Sequence, residues 1–274
     1  MSDLPIRFVS DLHLGHEHSL IKDPRHLDFL LEGCSCLVVC GDLAELRAAN
    51  FCEEGLRQKR IFEEMCQQAG VALLSLAGNH DPEQEQDIYR SVQGRVVALH
   101  GHCLFKEVAP WGWEYLRNKK LCHQLIADYP LADTEFESRM HLARAMSLIV
   151  PPIMRNSSSK ELREHRIIAK LKHICWPPQR PLAILKTWLT MDARMHRFAH
   201  QFFPEARLIC YGHFHRRHLS QKGNALAVNL GAFFHHATSY IVDLDEQDQQ
   251  AIVREASPTC IGNTVQRLDL SSRE

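Results

Sequence analysis

Eight short apolar runs constrain this chain more than any other feature. IRFV (6–9), CLVVC (36–40), VALLSL (71–76), RVVAL (95–99), RLICY (207–211), ALAVNL (225–230), SYIVDL (239–244) and AIVRE (251–255) are each four to six residues long, too short for helices. Their β-branched content reads as buried strands. Helix-like stretches, PRHLDFLLEG and GLRQKRIFEEMCQQAG, lie between the early runs, the second closing on Gly70. This alternation predicts a parallel arrangement for the first half, and the short turns between the last runs predict a meander. From about Trp111 to about Phe203 the strand pattern stops. Helical stretches there are punctuated by PP at 151–152, SSS at 157–159 and WPPQRP at 176–181, with Ser158 and Glu161 spaced as a capping box for a helix from near Lys160. The expectation is one α/β domain over residues 1–274 with residues 111–203 as an inserted helical lobe.

At 274 residues, with 45% hydrophobic and 24% charged side chains, the composition is that of a globular protein with a substantial core. Residues 113–200 hold 15 Lys and Arg against 8 Asp and Glu, an excess of seven; with the whole chain at −1, the remainder carries −8. The near-neutral total argues against stable nucleic-acid binding. MSDLPIRFVSDLH offers no apolar stretch of signal-peptide length and no later run approaches a membrane span, so a cytoplasmic location is expected. Ten cysteines in a chain this large, three of them (Cys36, Cys40 and Cys210) inside apolar runs, read as reduced core thiols.

The runs share a second property: the turns that follow them are rich in groups that bind metals and move protons. Asp11 and His13 follow the first run, Asp42 the second, Asn79 and His80 the third, His100 the fourth, and His213 with His215 the fifth. Singly each is ordinary, since a DxH turn is common and an Asp after a strand caps the next helix as readily as it binds anything. Five times over, at strand ends where open α/β sheets bind their ligands, the pattern points to a site. Mixed imidazole, carboxylate and carboxamide donors without thiolates suit two catalytic divalent ions, manganese first, with iron or zinc as alternatives.

The ordered set DxH, GD, GNHD, HGH and GHxH resembles the calcineurin-like metallophosphoesterases over residues 6–101 and 207–245. The resemblance implies a four-layer αββα sandwich with a two-metal centre at one rim and hydrolysis of a phosphate ester or pyrophosphate by metal-activated hydroxide. It implies Asp11, His13 and His215 on one metal, Asn79, His100 and His213 on the other, Asp42 bridging them, and His80 as a catalytic residue facing substrate. Where many members have GDxxD this chain has Glu45, one methylene longer, so its reach to His80 is left open. Asp81 is open between turn capping and catalysis, and His16, His18 and His102, near the site by sequence, are expected to be solvated loop residues, with substrate contact as the alternative.

The placement of the basic insertion is similar to that in UDP-2,3-diacylglucosamine pyrophosphatases, which implies a lipid-linked substrate and peripheral contact of the lobe with the inner membrane. SLIVPPIM (147–154) and RNSSSKE (155–161) would meet acyl chains and phosphate, or the former simply packs on the body. That branch commonly reads GNRD, not GNHD, so His80 speaks for the wider phosphoesterase chemistry; the alternative is a nucleotide or general phosphomonoester or phosphodiester hydrolase acting on a small molecule, with the basic lobe as a lid. An inactive binding scaffold should have broken ligand positions, and none is broken here. The sequence says nothing of oligomeric state.

Overall fold

The computed structural model describes residues 4–150, 152, 179–235 and 237–271. They form two compact units, Met1–His102 with His196–Glu274, and Cys103–Met195.

The first unit holds two sheets. Strands β1 (Ile6–Val9), β2 (Cys36–Val39) and β3 (Ala72–Ser75) run parallel, and β9 (Ser239–Asp245), β10 (Gln250–Ser257) and β11 (Cys260–Asp269) extend the sheet antiparallel, in the order β11-β10-β9-β1-β2-β3. The second sheet runs β4 (Ile88–Ser91), β5 (Val96–Leu99), β6 (Leu208–Tyr211), β8 (Ala225–Asn229) and β7 (His218–Lys222), with β5, β6 and β8 parallel and antiparallel strands at both edges. All eight runs read from the sequence are strands. Parallel β1, β2 and β3 end on one side of their sheet, and β5 and β6 end together in theirs, which gathers the polar turns.

Strand periodicity divides the core in two. Phe8, Val38 and Cys40 point between the sheets with Val96, Ala98, Leu208, Cys210, Val242 and Leu244. Val9, Leu37 and Val39 point the other way, onto Leu27 and Leu30 and onto Phe62 and Cys66 of helix α1 (Ala49–Gln68). On the outer face of the second sheet Val97, Leu99, Ile209 and Ala227 are also buried. There His196, near the end of helix α5 (Gln179–Phe202), hydrogen-bonds Ser220 of β7 at 3.0 Å. These layers are those of the αββα sandwich. Gly70 ends α1 at φ +68°, as expected. Pro24–Leu30, in contrast, is a 3-10 helix, its Asp23 carboxylate capping Arg25 N, and not the α-helix its composition suggested.

Arg7 of β1 stands opposite Asp243 of β9 and is buried with it, its Nε 2.7 Å from Asp243 Oδ1 and its Nη1 donating to the carbonyls of Leu30 and Glu32. Removing one member leaves the other charge buried without its partner, which costs about 3–5 kcal/mol. Asp243→Ala is therefore expected to lower unfolding stability by that amount in urea titration, and a change under about 1 kcal/mol would show that the pair is not a fastening of β1 to β9.

The second unit contains helices α2 (Trp113–Arg117), α3 (Lys119–Asp128), α4 (Phe136–Ile149) and the larger part of α5. Cys122, Leu125, Met140, Leu142, Met146, Met191 and Met195 are among its buried side chains. Arg194 lies 4.7 Å from the Phe105 ring centre, and Lys106 and Arg139 pair with Asp133. The capping box near Lys160 and the RNSSSKE stretch lie outside the described residues. Among the described residues no helix is long and apolar enough to cross a membrane, and the cysteines there are free thiols.

Candidate metal centre

The turns after β1, β2, β3, β5 and β6 bring all eight expected residues together in the first unit. Asp11 and His13 leave β1, and His215 leaves β6. His13 Nε2 lies 3.1 Å from His215 Nε2, while Asp11 Oδ1 lies 3.2 Å from the latter and 3.7 Å from the former. Such separations match those of ligands about 2.1 Å from one ion in a tetrahedral arrangement, about 3.4 Å apart. A second set converges on His100 Nε2, with Asn79 Oδ1 at 3.1 Å and the His213 ring centre 5.1 Å from its own. Asp42 Oδ2 lies 3.2 Å from His100 Nε2 and 3.7 Å from His13 Nε2, so one carboxylate oxygen faces both sets.

The local backbone is strained to achieve this. Asp11, His13, Asp42, His213 and His215 all have φ between +47° and +73°, a region that side chains other than glycine rarely occupy. Neighbouring glycines make room: a Cβ on Gly78 would collide with Asp42, and one on Gly212 with Ser10 and Asp11.

Asp11, Asp42 and His100 are each aimed by a hydrogen bond on the other side. Asp11 Oδ2 accepts from His213 N and lies against the Ser10 hydroxyl, which leaves Oδ1 buried and without a hydrogen-bond partner among the described residues. Asp42 Oδ1 accepts from His80 N at 2.8 Å, leaving Oδ2 to the centre. His100 Nδ1 lies 2.9 Å from the Cys40 carbonyl; donating there, it turns Nε2 inward as a lone pair.

Electrostatics agree with a cationic occupant. Burial works against the Asp11 and Asp42 carboxylates, yet the surrounding imidazoles, His100 foremost, hold both below the ordinary range. Conversely His100, despite burial, is pushed up to about 9 by Asp42 and Asp11. Two buried carboxylates thus draw in positive charge, which a divalent ion supplies without protonating a ligand. An orphaned carboxylate oxygen and convergent imidazoles fit a metal. The donors of Asp11, His13, Asp42 and His215 lie within 4.8 Å of one another.

His80 stands apart from the ligand sets. Its Nδ1 is 2.6 Å from Oε2 of buried Glu45, and its side chain is 37% exposed. Glu45 therefore spans the extra methylene. Glu45 and His80 also approach His13, but the carboxylate is engaged by His80, which, against the effect of burial, keeps Glu45 below its usual range.

Asp81 is a turn residue. Fully buried, it accepts from Gly78 N, Asp42 N and Leu43 N at 2.8–3.0 Å and so ties the third turn to the second. Of the two readings open for Asp81, these bonds make it a turn-capping residue, whereas Ser10 was not singled out by sequence reasoning and its only signal is its place beside Asp11. Two expectations need correction. His102 is 1% exposed, with its ring 5.3 Å from that of His100, because its turn folds under the site. His16 is half-buried between rings, and burial pulls its pKa down to about 3.

The family model for calcineurin-like phosphoesterases matches residues 4–217. The chain belongs to this family. Among solved structures, this calcineurin-like phosphoesterase is similar to a predicted phosphoesterase from Streptococcus pneumoniae TIGR4 (12% identity over 94% of this chain and 91% of that one, TM-score 0.38). It is also similar to zinc-complexed Vps29 from Entamoeba histolytica (10%, 98% and 100%, 0.45) and to Yfce, a phosphoesterase from E. coli (13%, 98% and 100%, 0.44). A search of curated proteins found no match.

Proposed function

We propose that this calcineurin-like phosphoesterase hydrolyses a phosphate ester or phosphoanhydride at a two-metal centre. Asp11, His13 and His215 would hold one ion and Asn79, His100 and His213 the other. The observation that carries the reading is Asp42 Oδ2, within 3.2 Å of His100 Nε2 and 3.7 Å of His13 Nε2. Two divalent ions, manganese first with iron or zinc as alternatives, would supply Lewis acidity toward the phosphoryl oxygens and the attacking water.

The chain's own side chains supply the rest. Hydrolysis forms a P–O bond from water and breaks the ester P–O bond, and the departing oxygen needs a proton. His80 is placed to give that proton or to stabilise phosphoryl charge. Glu45, on its Nδ1, orients the ring and favours its protonated form. Chelator-stripped protein should turn over bis-p-nitrophenyl phosphate or p-nitrophenyl phosphate only after manganese is added back. Failure of every divalent ion to restore turnover on any phosphate ester or anhydride would defeat the reading.

A second reading concerns substrate. Leu182, Leu185 and Leu189 are spaced along one side of α5 and are 67, 52 and 76% exposed, in a lobe whose sequence is basic. This favours a cap that takes acyl chains and touches a membrane surface. Of SLIVPPIM, Leu148 and Ile149 are exposed, Ser147 and Val150 are buried, and Pro151, Ile153 and Met154 lie outside the described residues. At about 0.8 kcal/mol per buried methylene, a few methylenes would decide specificity. The lipid reading expects kcat/KM several hundredfold higher for UDP-2,3-diacylglucosamine than for UDP-N-acetylglucosamine. Equal values would leave a soluble phosphoester as substrate.

A further inference from the structure

Beside the proposed ligands stands a cluster of rings that metal binding does not use, drawn from the turn after β1, the start of α1 and the connection between β8 and β9. Phe234 lies 4.6 Å from His13 and 5.1 Å from His215, ring centre to ring centre, and on its other sides meets His16 at 4.8 Å and His235 at 4.6 Å. His16 in turn packs on Phe51 at 4.5 Å. His18 and His235 are stacked, centres 4.2 Å apart and planes 27° from parallel. The cluster therefore runs from the metal donors outward to exposed His235.

Its backbone is fixed. Leu20 N donates to Phe233 O and His235 N to His18 O, and Ser19 and Phe234 form an isolated β-bridge. His235 is held at φ +53°, a conformation that places its ring on His18 and that an unconstrained loop would avoid. Side chains that served only to fill the interior would be buried, whereas Phe51, Phe234, His16 and His18 are half-buried and His235 is exposed.

The chemistry of the cluster favours a flat ring over an anion. His16 Nδ1 accepts the His18 backbone N–H at 3.0 Å, so that nitrogen carries no proton and the ring is neutral. What the rim offers is aromatic surface beside a phosphate-cleaving centre.

We infer that His16, His18, Phe51, Phe234 and His235 form a subsite for an aromatic group attached to the scissile phosphate, and that the substrate is a nucleoside-bearing phosphoester or phosphoanhydride. This rests on the phosphoesterase reading and names the substrate class of the same site. Base stacking on protein rings changes affinity by roughly 5- to 150-fold per base.

The test compares p-nitrophenyl thymidine 5′-phosphate with methyl p-nitrophenyl phosphate on manganese-loaded protein. Both esters release p-nitrophenolate, so the ratio of their kcat/KM values reads the nucleoside. The ratio should be at least about tenfold in the native chain and should fall at least about fivefold in the double variant His18→Ala, His235→Ala. Phe51→Leu, which keeps apolar volume and removes the ring, gives a second measure if the double variant does not fold. A ratio near one, or one unmoved by a folded variant, overturns the subsite. If neither diester is hydrolysed, the phosphoesterase reading stands or falls on the monoester and anhydride assays above, and calorimetry decides the subsite: tighter binding of thymidine 5′-phosphate than of methyl phosphate upholds it, and equal affinity overturns it.

Discussion

Asp42→Ala is expected to lower turnover by more than about 10²-fold and to deplete metal from both ligand sets. Loss of an outer-shell partner typically costs 10- to 100-fold in metal affinity or activity, and Asp42 does more than that. Its Oδ2 faces His100 and His13, and its Oδ1 receives the backbone N–H of His80, so the same carboxylate also fixes the third turn. Asp42→Asn is the informative companion, because it keeps the hydrogen-bond geometry and removes the charge. Metal content measured after gel filtration should fall in both variants. A variant that retains two ions per chain would refute the bridging role.

His80→Ala is expected to lower kcat by about 10²- to 10⁴-fold while leaving metal content as in the native chain. The distinction follows from geometry: His80 directs Nδ1 to Glu45 and exposes more than a third of its side chain, whereas His13 and His100 are buried among the donors. If the loss arises from an absent leaving-group proton, it should shrink on esters with good leaving groups, such as p-nitrophenolate, and grow on alkyl esters. Loss of an ion in His80→Ala would reassign this residue to the ligand set. Glu45→Gln should reproduce part of the defect, since a neutral amide orients the ring without favouring its charged form.

The strands that the sequence announced are those with a buried face on each side or a well-buried one, such as β2, β6 and β8. Those it hid are β4, β7 and β11, all edge strands. IYRS, HLSQK and CIGNTVQRLD are largely half-exposed or exposed, so no apolar run marks them. At the site, residue types and their order after strands were enough to single out the donors. Their aim was not legible, because it depends on backbone conformation: five of the seven adopt positive φ, which composition does not encode for Asp or His. Contacts between distant segments were equally hidden. Glu45 meeting His80 and Asp81 holding three N–H groups of two turns depend on the pairing of β2 with β3, and His213 N on Asp11 depends on the two sheets bringing separate turns together.

The most direct measurement of the central claim is a crystal structure of manganese-soaked protein with anomalous scattering recorded at the manganese edge. The account predicts two peaks about 4 Å apart, one in contact with Asp11, His13 and His215, the other with Asn79, His100 and His213, and Asp42 touching both. A single peak, or two that do not share Asp42, would contradict it.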